Sequence, residues 1–206
     1  MASGATMALF LLLLLIVVAC LIALVYRTLR GRSARGLGIV MAVAIGVYAV
    51  MLVAASAASH TRQIALGMDK CFDDWCATVT GARVLSIPST AAGSKVIVVM
   101  LRVSNRALRA AFRPSQPRVH LVLESGEVVI PADPREIEAK LGPQQNLSTR
   151  LAPGESYETA VGFHVPAGVR KAAIVILEGP VTVTQFLVDD ETSFGHKKTV
   201  FPIEFE

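Results

Sequence analysis

Acid is missing from the first third of this chain. No Asp or Glu precedes Asp69, and the only charged residues among positions 1–59 are Arg27, Arg30, Arg32 and Arg35. Cysteine is scarce, with three in 206 residues, so no dense disulfide framework or multi-cysteine metal cage is open to it. The common catalytic signatures are also lacking. There is no Gly-x-Ser-x-Gly, no His-Glu-x-x-His and no phosphate-binding loop, which lowers the expectation of an enzyme without removing it, since catalytic groups also converge from distant loops. No repeat or low-complexity tract interrupts the chain, so a solenoid is not expected.

The charge that is present is unevenly placed. The net charge is +4, from 20 Lys plus Arg against 16 Asp plus Glu. Subtracting the four early arginines leaves 16 basic and 16 acidic residues from position 60 onward. The basic pI near 9.2 therefore comes from one short stretch, and no nucleic-acid partner is expected.

That stretch, "YRTLRGRSARG" at 26–36, separates two uncharged runs, 6–26 and 37–59. Twenty-one helical residues rise about 31 Å, the thickness of a bilayer's hydrocarbon core. Two apolar membrane helices are predicted, about 6–26 and 37–59, joined by a loop over 27–36. "MASGA" lacks the basic residues that open a signal peptide, so the first run is expected to be kept as a helix. Arginine-rich short loops stay cytoplasmic. Arg27, Arg30, Arg32 and Arg35 thus predict an inside loop, with the N-terminus and everything after the second helix outside. Ala42 and Gly46, four apart, offer close helix approach, either within the hairpin or between copies, with packing within the hairpin expected.

Beyond residue 76 the apolar pattern changes to alternation. Val119, Leu121 and Leu123 share one face of "RVHLVLE", Tyr157, Val161, Phe163 and Val165 one face of "SYETAVGFHV", and Phe201, Ile203 and Phe205 one face of "TVFPIEF". "KVIVVMLRV" at 95–103 and "AAIVIL" at 172–177 are apolar on both faces and read as central strands. Pro202 belongs at an edge or bulge, and "DPREIEAKLG" at 133–142 supplies one or two helical turns. Seven or eight strands divided by turns such as "ESGE", "APGES" and "VPAG" predict an all-β sandwich over 77–206, after a juxtamembrane linker over 60–76.

A strand ending at Asn105, the turn Leu151–Glu155 (Leu-Ala-Pro-Gly-Glu) and a strand closing on Phe163–Pro166 (Phe-His-Val-Pro) form a recurring pattern. In these features residues 76–206 resemble the bacterial extracytoplasmic immunoglobulin-like domains described as telokin-like. The resemblance implies an envelope-exposed binding or structural module and carries over no catalytic residue and no cofactor. The two helices ahead of it are not a fixed part of that pattern. The abundance of Ala, Arg, Gly and Val points to a bacterium of high genomic GC, hence to a multi-pass protein of the cytoplasmic membrane.

Three sets of residues are candidates for chemistry. Cys71 and Cys76, in "CFDDWC", are five apart in an oxidising compartment, which favours a disulfide. Free thiols, redox duty and metal handling are the alternatives, although the spacing is not that of a Cys-x-x-Cys oxidoreductase. Arg102, Arg106, Arg109, Arg113 and Arg118 fall in a run with no acid between Lys95 and Glu124. They form a candidate patch for an anionic lipid, a phosphorylated glycan or an acidic partner, set against an ordinary solvated loop. "DDE" at 189–191 lacks calcium-loop spacing. His120, His164 and His196 are scattered, so no metal centre is expected. The functional reading is a membrane-anchored, non-enzymatic binding or scaffolding module of the cell envelope. The alternatives are a redox or metal-handling protein and an accessory subunit of a larger membrane complex, the second using a helix-mediated contact.

Overall fold

The computed structural model describes residues 4–31, 33, 35–72, 74–85, 93–179, 186, 193 and 195–205. The chain divides into two compact units, one of residues 1–60 with 181–198 and one of 61–180 with 199–206.

The first unit is built on α1 (Gly4–Leu29) and α2 (Arg35–Ala58), both long and apolar enough to cross a membrane. Their outward side chains, among them Leu15, Ile22, Val50 and Val53, stand exposed, far more apolar surface than a water-facing helix carries. The helices extend past their apolar runs, so Arg27 and Arg35 lie inside α1 and α2 and the connection is shorter than 27–36. At the end of α1 the ladder continues because Arg27, a cation in the last turn, complements the negative helix end. The Thr28 hydroxyl also donates to the Leu24 and Val25 carbonyls at 3.0 and 2.8 Å. Gly31, at φ +65°, adopts the left-handed conformation common just past a helix end.

Ala42 and Gly46 do not pack within the hairpin. Both are exposed, and a Cβ on Gly46 would meet nothing within 4 Å. The shielded ridge of α2 is Met41, Ala44, Tyr48 and Leu52, one helical face over. Its centre is Tyr48, whose ring lies 6.3 Å from that of Phe10 and buries more surface than a small residue does.

The stretch 181–198, expected inside the sandwich, belongs instead with the helices. Its described residues show why. The Tyr48 hydroxyl donates to the Phe186 carbonyl, and the Lys197 amide donates to Ser59 Oγ at 3.0 Å.

The second unit is a two-layer sandwich. Its elements in chain order are β1 (Arg62–Gln63), β2 (Asp69–Phe72), β3 (Trp75–Leu85), β4 (Ser94–Asn105), β5 (Arg118–Leu123), β6 (Val128–Val129), α3 (Pro134–Leu141), β7 (Ser156–Pro166), β8 (Lys171–Leu177) and β9 (Thr199–Glu204). One sheet runs β1-β9-β8-β5-β6, the other β2-β3-β4-β7. Neighbours are antiparallel except β1 with β9. The expected linker over 60–76 thus contributes two strands. Asp69–Phe72 pairs residue for residue with Trp75–Thr78, and no alternating apolar run announced it because Asp69 and Lys70 sit in that strand.

The alternating sets fall where their period places them. Ile97, Val99, Leu101 and Val103 of β4, Val119, Leu121 and Leu123 of β5, Phe163 and Val165 of β7, and Phe201, Ile203 and Phe205 fill the space between the sheets. Both continuous runs are interior strands, β4 between β3 and β7 and β8 between β5 and β9. The second face of β4, Val96 and Val98, is covered by Ile137 of α3. Asp133 caps that helix by accepting from the Arg135 amide at 3.0 Å, and Pro134 opens it. Pro202 lies beyond the two-residue pairing of β1 with β9, where β9 has become an edge.

Candidate functional site

One buried amide organises an end of the sandwich. Asn105, the last residue of β4, is 1% exposed. Its Nδ2 donates to the carbonyls of Ala110 and Leu151, both at 3.0 Å, and its Oδ1 accepts from the Ala107 amide at 2.9 Å. Its backbone amide donates to the Glu155 carbonyl, and its carbonyl accepts from Gly154. The Asn and the Leu-x-Pro-Gly-Glu turn quoted above are therefore the two halves of one lock. Glu155 closes the turn by accepting from the Ala152 amide at 2.7 Å, and Gly154 takes the left-handed φ of +76° that the turn needs.

The lock holds the arginine-bearing loop, and the five arginines have different fates. Arg102 and Arg106 share Asp69, Arg102 at 3.5 Å and Arg106 in close contact. Asp69 also accepts from the Thr78 hydroxyl. That hydrogen bond first, and the Arg106 contact with it, outweigh partial burial and hold the Asp69 carboxyl below its ordinary 3.8. Arg118 donates to the Gly179 carbonyl at 3.0 Å. Burial, and then the charge of Arg118, push the neighbouring His120 below its ordinary 6.5. Arg109 and Arg113 are exposed and have no carboxylate within 4.0 Å among the described residues. The run of five is thus a neutralised pair, a carbonyl-bound residue and two open cations.

A sixth arginine joins those two. Phe112 and Leu151 form an isolated antiparallel bridge, exchanging backbone bonds at 2.9 Å in both directions. Arg113 and Arg150 are the flanking residues of that bridge, on one side of it. Arg113 is steadied by donating from Nε to the Ser148 carbonyl at 2.9 Å. Arg150 is exposed and has no ion pair among the described residues. With Ala111, Asn146, Ser148 and Thr149 they line an open notch of about 740 Å³. The wall is rigid, because the Asn146 carbonyl accepts from Thr149 Oγ1 at 2.6 Å and from the Tyr157 hydroxyl at 2.8 Å. Burial pushes the Tyr157 phenol up to about 12, so it remains a donor at all physiological pH. Arg150 lies 32 residues beyond the arginine run, so no linear pattern points to it. Its one sequence signal is its place directly before the Leu-x-Pro-Gly-Glu turn.

Cys71 and Cys76 are directly opposed in the β2–β3 ladder, with Cα atoms 3.9 Å apart and sulfurs at disulfide-bonding distance. Beside them Phe72 and Trp75 stack at 4.7 Å and 18°. Asp69, Cys71 and Cys76 bring three potential metal donors within 4.8 Å of one another. These donors are committed elsewhere, Asp69 to two guanidiniums and a hydroxyl, the sulfurs to each other. His164 contacts Glu136 at 2.8 Å and His196 the Lys197 carbonyl at 2.9 Å, so the histidines do not gather. Of the hairpin arginines, Arg30 lies over the Tyr26 ring at 4.4 Å, and Arg32 falls outside the described residues, as does "DDE" at 189–191.

Neither a protein-family model nor a curated protein matches the chain. Among solved structures it is similar to a conserved hypothetical protein from Bacillus anthracis, with 17% identity, 54% of this chain and 88% of that one covered, and a TM-score of 0.44. An uncharacterized β-sandwich protein from Clostridium difficile is similar at 10% identity, 71% and 96% coverage and a TM-score of 0.43. A secreted protein from Mycobacterium tuberculosis is similar at 14% identity, 70% and 98% coverage and a TM-score of 0.42. The fold is two apolar helices followed by a β-sandwich. At these identities and scores nothing about activity transfers.

Proposed function

We infer that this chain is a non-enzymatic binding or scaffolding protein of the bacterial cell envelope. It is anchored in the cytoplasmic membrane by α1 and α2, with the arginine connection inside and the sandwich outside. The observation that carries the reading is the joint placement of charge and apolar surface. Two helices expose apolar side chains along their outward faces, and every charge of the first 59 residues sits where they join. The telokin-like pattern at Asn105, Leu151–Glu155 and Phe163–Pro166 supports an extracytoplasmic module. In this reading Cys71 and Cys76 are a structural clasp and not a redox or metal pair, since Cys76 is buried and Asp69 is occupied.

The orientation is tested by cysteine labelling with a membrane-impermeant maleimide, above the background of the unmodified chain. Ser125→Cys in the β5–β6 turn is expected to react in intact cells, and Ser33→Cys only after permeabilisation. The opposite pattern would overturn the reading. A second reading, an accessory subunit of a membrane complex, draws on the exposure of Ala42 and Gly46. It requires that Gly46→Leu strip co-purifying chains from the protein while leaving its amount in the membrane unchanged.

A further inference from the structure

The Phe112–Leu151 bridge does something sheets ordinarily avoid. It sets two like charges, Arg113 and Arg150, at its flanking positions and on the lining of one notch, and like charges brought together across strands cost stability. Proteins usually offset such a pair with a nearby acid. The neighbouring loop shows this directly, because Arg102 and Arg106 are matched to Asp69. No carboxylate plays that part for Arg113 or Arg150 among the described residues. Nor are the two left loose, since the bridge, the Asn105 lock and the Arg113–Ser148 bond fix the backbone that bears them.

The geometry points to a binding notch for a phosphate-type oxyanion, held between the guanidiniums of Arg113 and Arg150. The planar guanidinium fork suits the paired oxygens of a phosphate, and charge-assisted bonds of this kind are the stronger class. Engaging Nε of Arg113 with the Ser148 carbonyl leaves its terminal NH₂ groups for a ligand. Ser148 and Thr149 line the same opening, with the Thr149 hydroxyl already donating to the Asn146 carbonyl. The absent countercharge is then the ligand's own, and the repulsion between the arginines is relieved on binding. Two sources share this chemistry, a free phosphate and the phosphodiester of a lipid headgroup. The inference deepens the reading of the sandwich as a binding module and rests on it. It involves only residues of the sandwich, so it stands or falls independently of the labelling test of orientation.

The test uses the full chain in neutral detergent, followed by thermal unfolding at constant ionic strength. The probes are inorganic phosphate and dihexanoyl phosphatidylglycerol, against chloride and dihexanoyl phosphatidylcholine. A ligand that binds only the folded state raises the unfolding temperature as its concentration grows. Phosphate or phosphatidylglycerol is expected to raise it above the chloride and phosphatidylcholine baselines. Arg150→Gln is expected to abolish that rise, and Arg83→Gln, at an exposed position of β3, to keep it. Arg150→Gln should also unfold at a higher temperature than the unmodified chain at low salt without ligand, because one of the two like charges on the notch is gone. A residue with only a structural role would do the reverse. A rise with phosphatidylglycerol alone assigns the notch to a lipid headgroup, and a rise with both assigns it to phosphate oxyanions generally. Either no rise with any phosphate probe, or a rise that survives in Arg150→Gln, overturns the inference.

Discussion

Asn105 shows how much one side chain can decide. Its carboxamide satisfies two carbonyls and one amide from two later segments of the chain, the loop that follows it and the turn that begins at Leu151. Buried backbone groups without partners cost roughly 1–3 kcal/mol each. Asn105→Ala is therefore expected to destabilise the protein by more than about 2 kcal/mol, read as a lower denaturant midpoint. Asn105→Asp should not rescue it, because a carboxylate cannot donate to the carbonyls of Ala110 and Leu151. Asp69 offers a pH-dependent counterpart. Its carboxyl titrates below the ordinary 3.8 in the folded state, so its stabilisation is complete above that value and fades as pH falls through the folded pKa. Unfolding of Asp69→Asn is expected to occur at lower temperature than that of the unmodified chain near neutral pH. The gap should narrow below about pH 4, and a gap that widened in acid would contradict the assignment.

At the scale of elements, β4 explains why one run of sequence is apolar on both faces. Its inward residues meet the second sheet, and its outward Val96 and Val98 meet Ile137. The fit of α3 onto the sheet depends on the absence of a side chain at Gly162 in β7. A Cβ there would lie 2.2 Å from Ile137 Cδ1. Gly162→Ala is expected to cost about 1–3 kcal/mol through overpacking. Ile137→Val removes the offending methyl and should recover part of the loss, which a double-mutant cycle on denaturant midpoints would measure. The β2–β3 hairpin is tied differently, by the opposed cysteines and by the Phe72–Trp75 stack.

For the molecule as a whole, the governing asymmetry is electrostatic. A bilayer has no use for a guanidinium in its core, and loops bearing several are retained on the cytoplasmic side. Replacing Arg27, Arg30, Arg32 and Arg35 together with Gln is expected to give a mixed population, with Ser125→Cys labelled in only part of it. Uniform outward labelling would show that another feature sets the orientation.

What the sequence determined by itself is whatever depends on local period and local charge. The two helices, the alternating faces of β5, β7 and β9, the interior positions of β4 and β8 and the edge placement of Pro202 all follow from residues adjacent in the chain. Tertiary structure decided what depends on register between distant segments. Only strand pairing shows that Asp69 neutralises Arg102 and Arg106, that Lys70 and Cys71 belong to a sheet, and that Arg150 lines the same notch as Arg113. A one-residue slip in a ladder sends every side chain of that strand to the other face. The arginine run could thus be read as a patch from its spelling, while its division into neutralised and open cations required the bridge between Phe112 and Leu151 to bring a remote residue alongside.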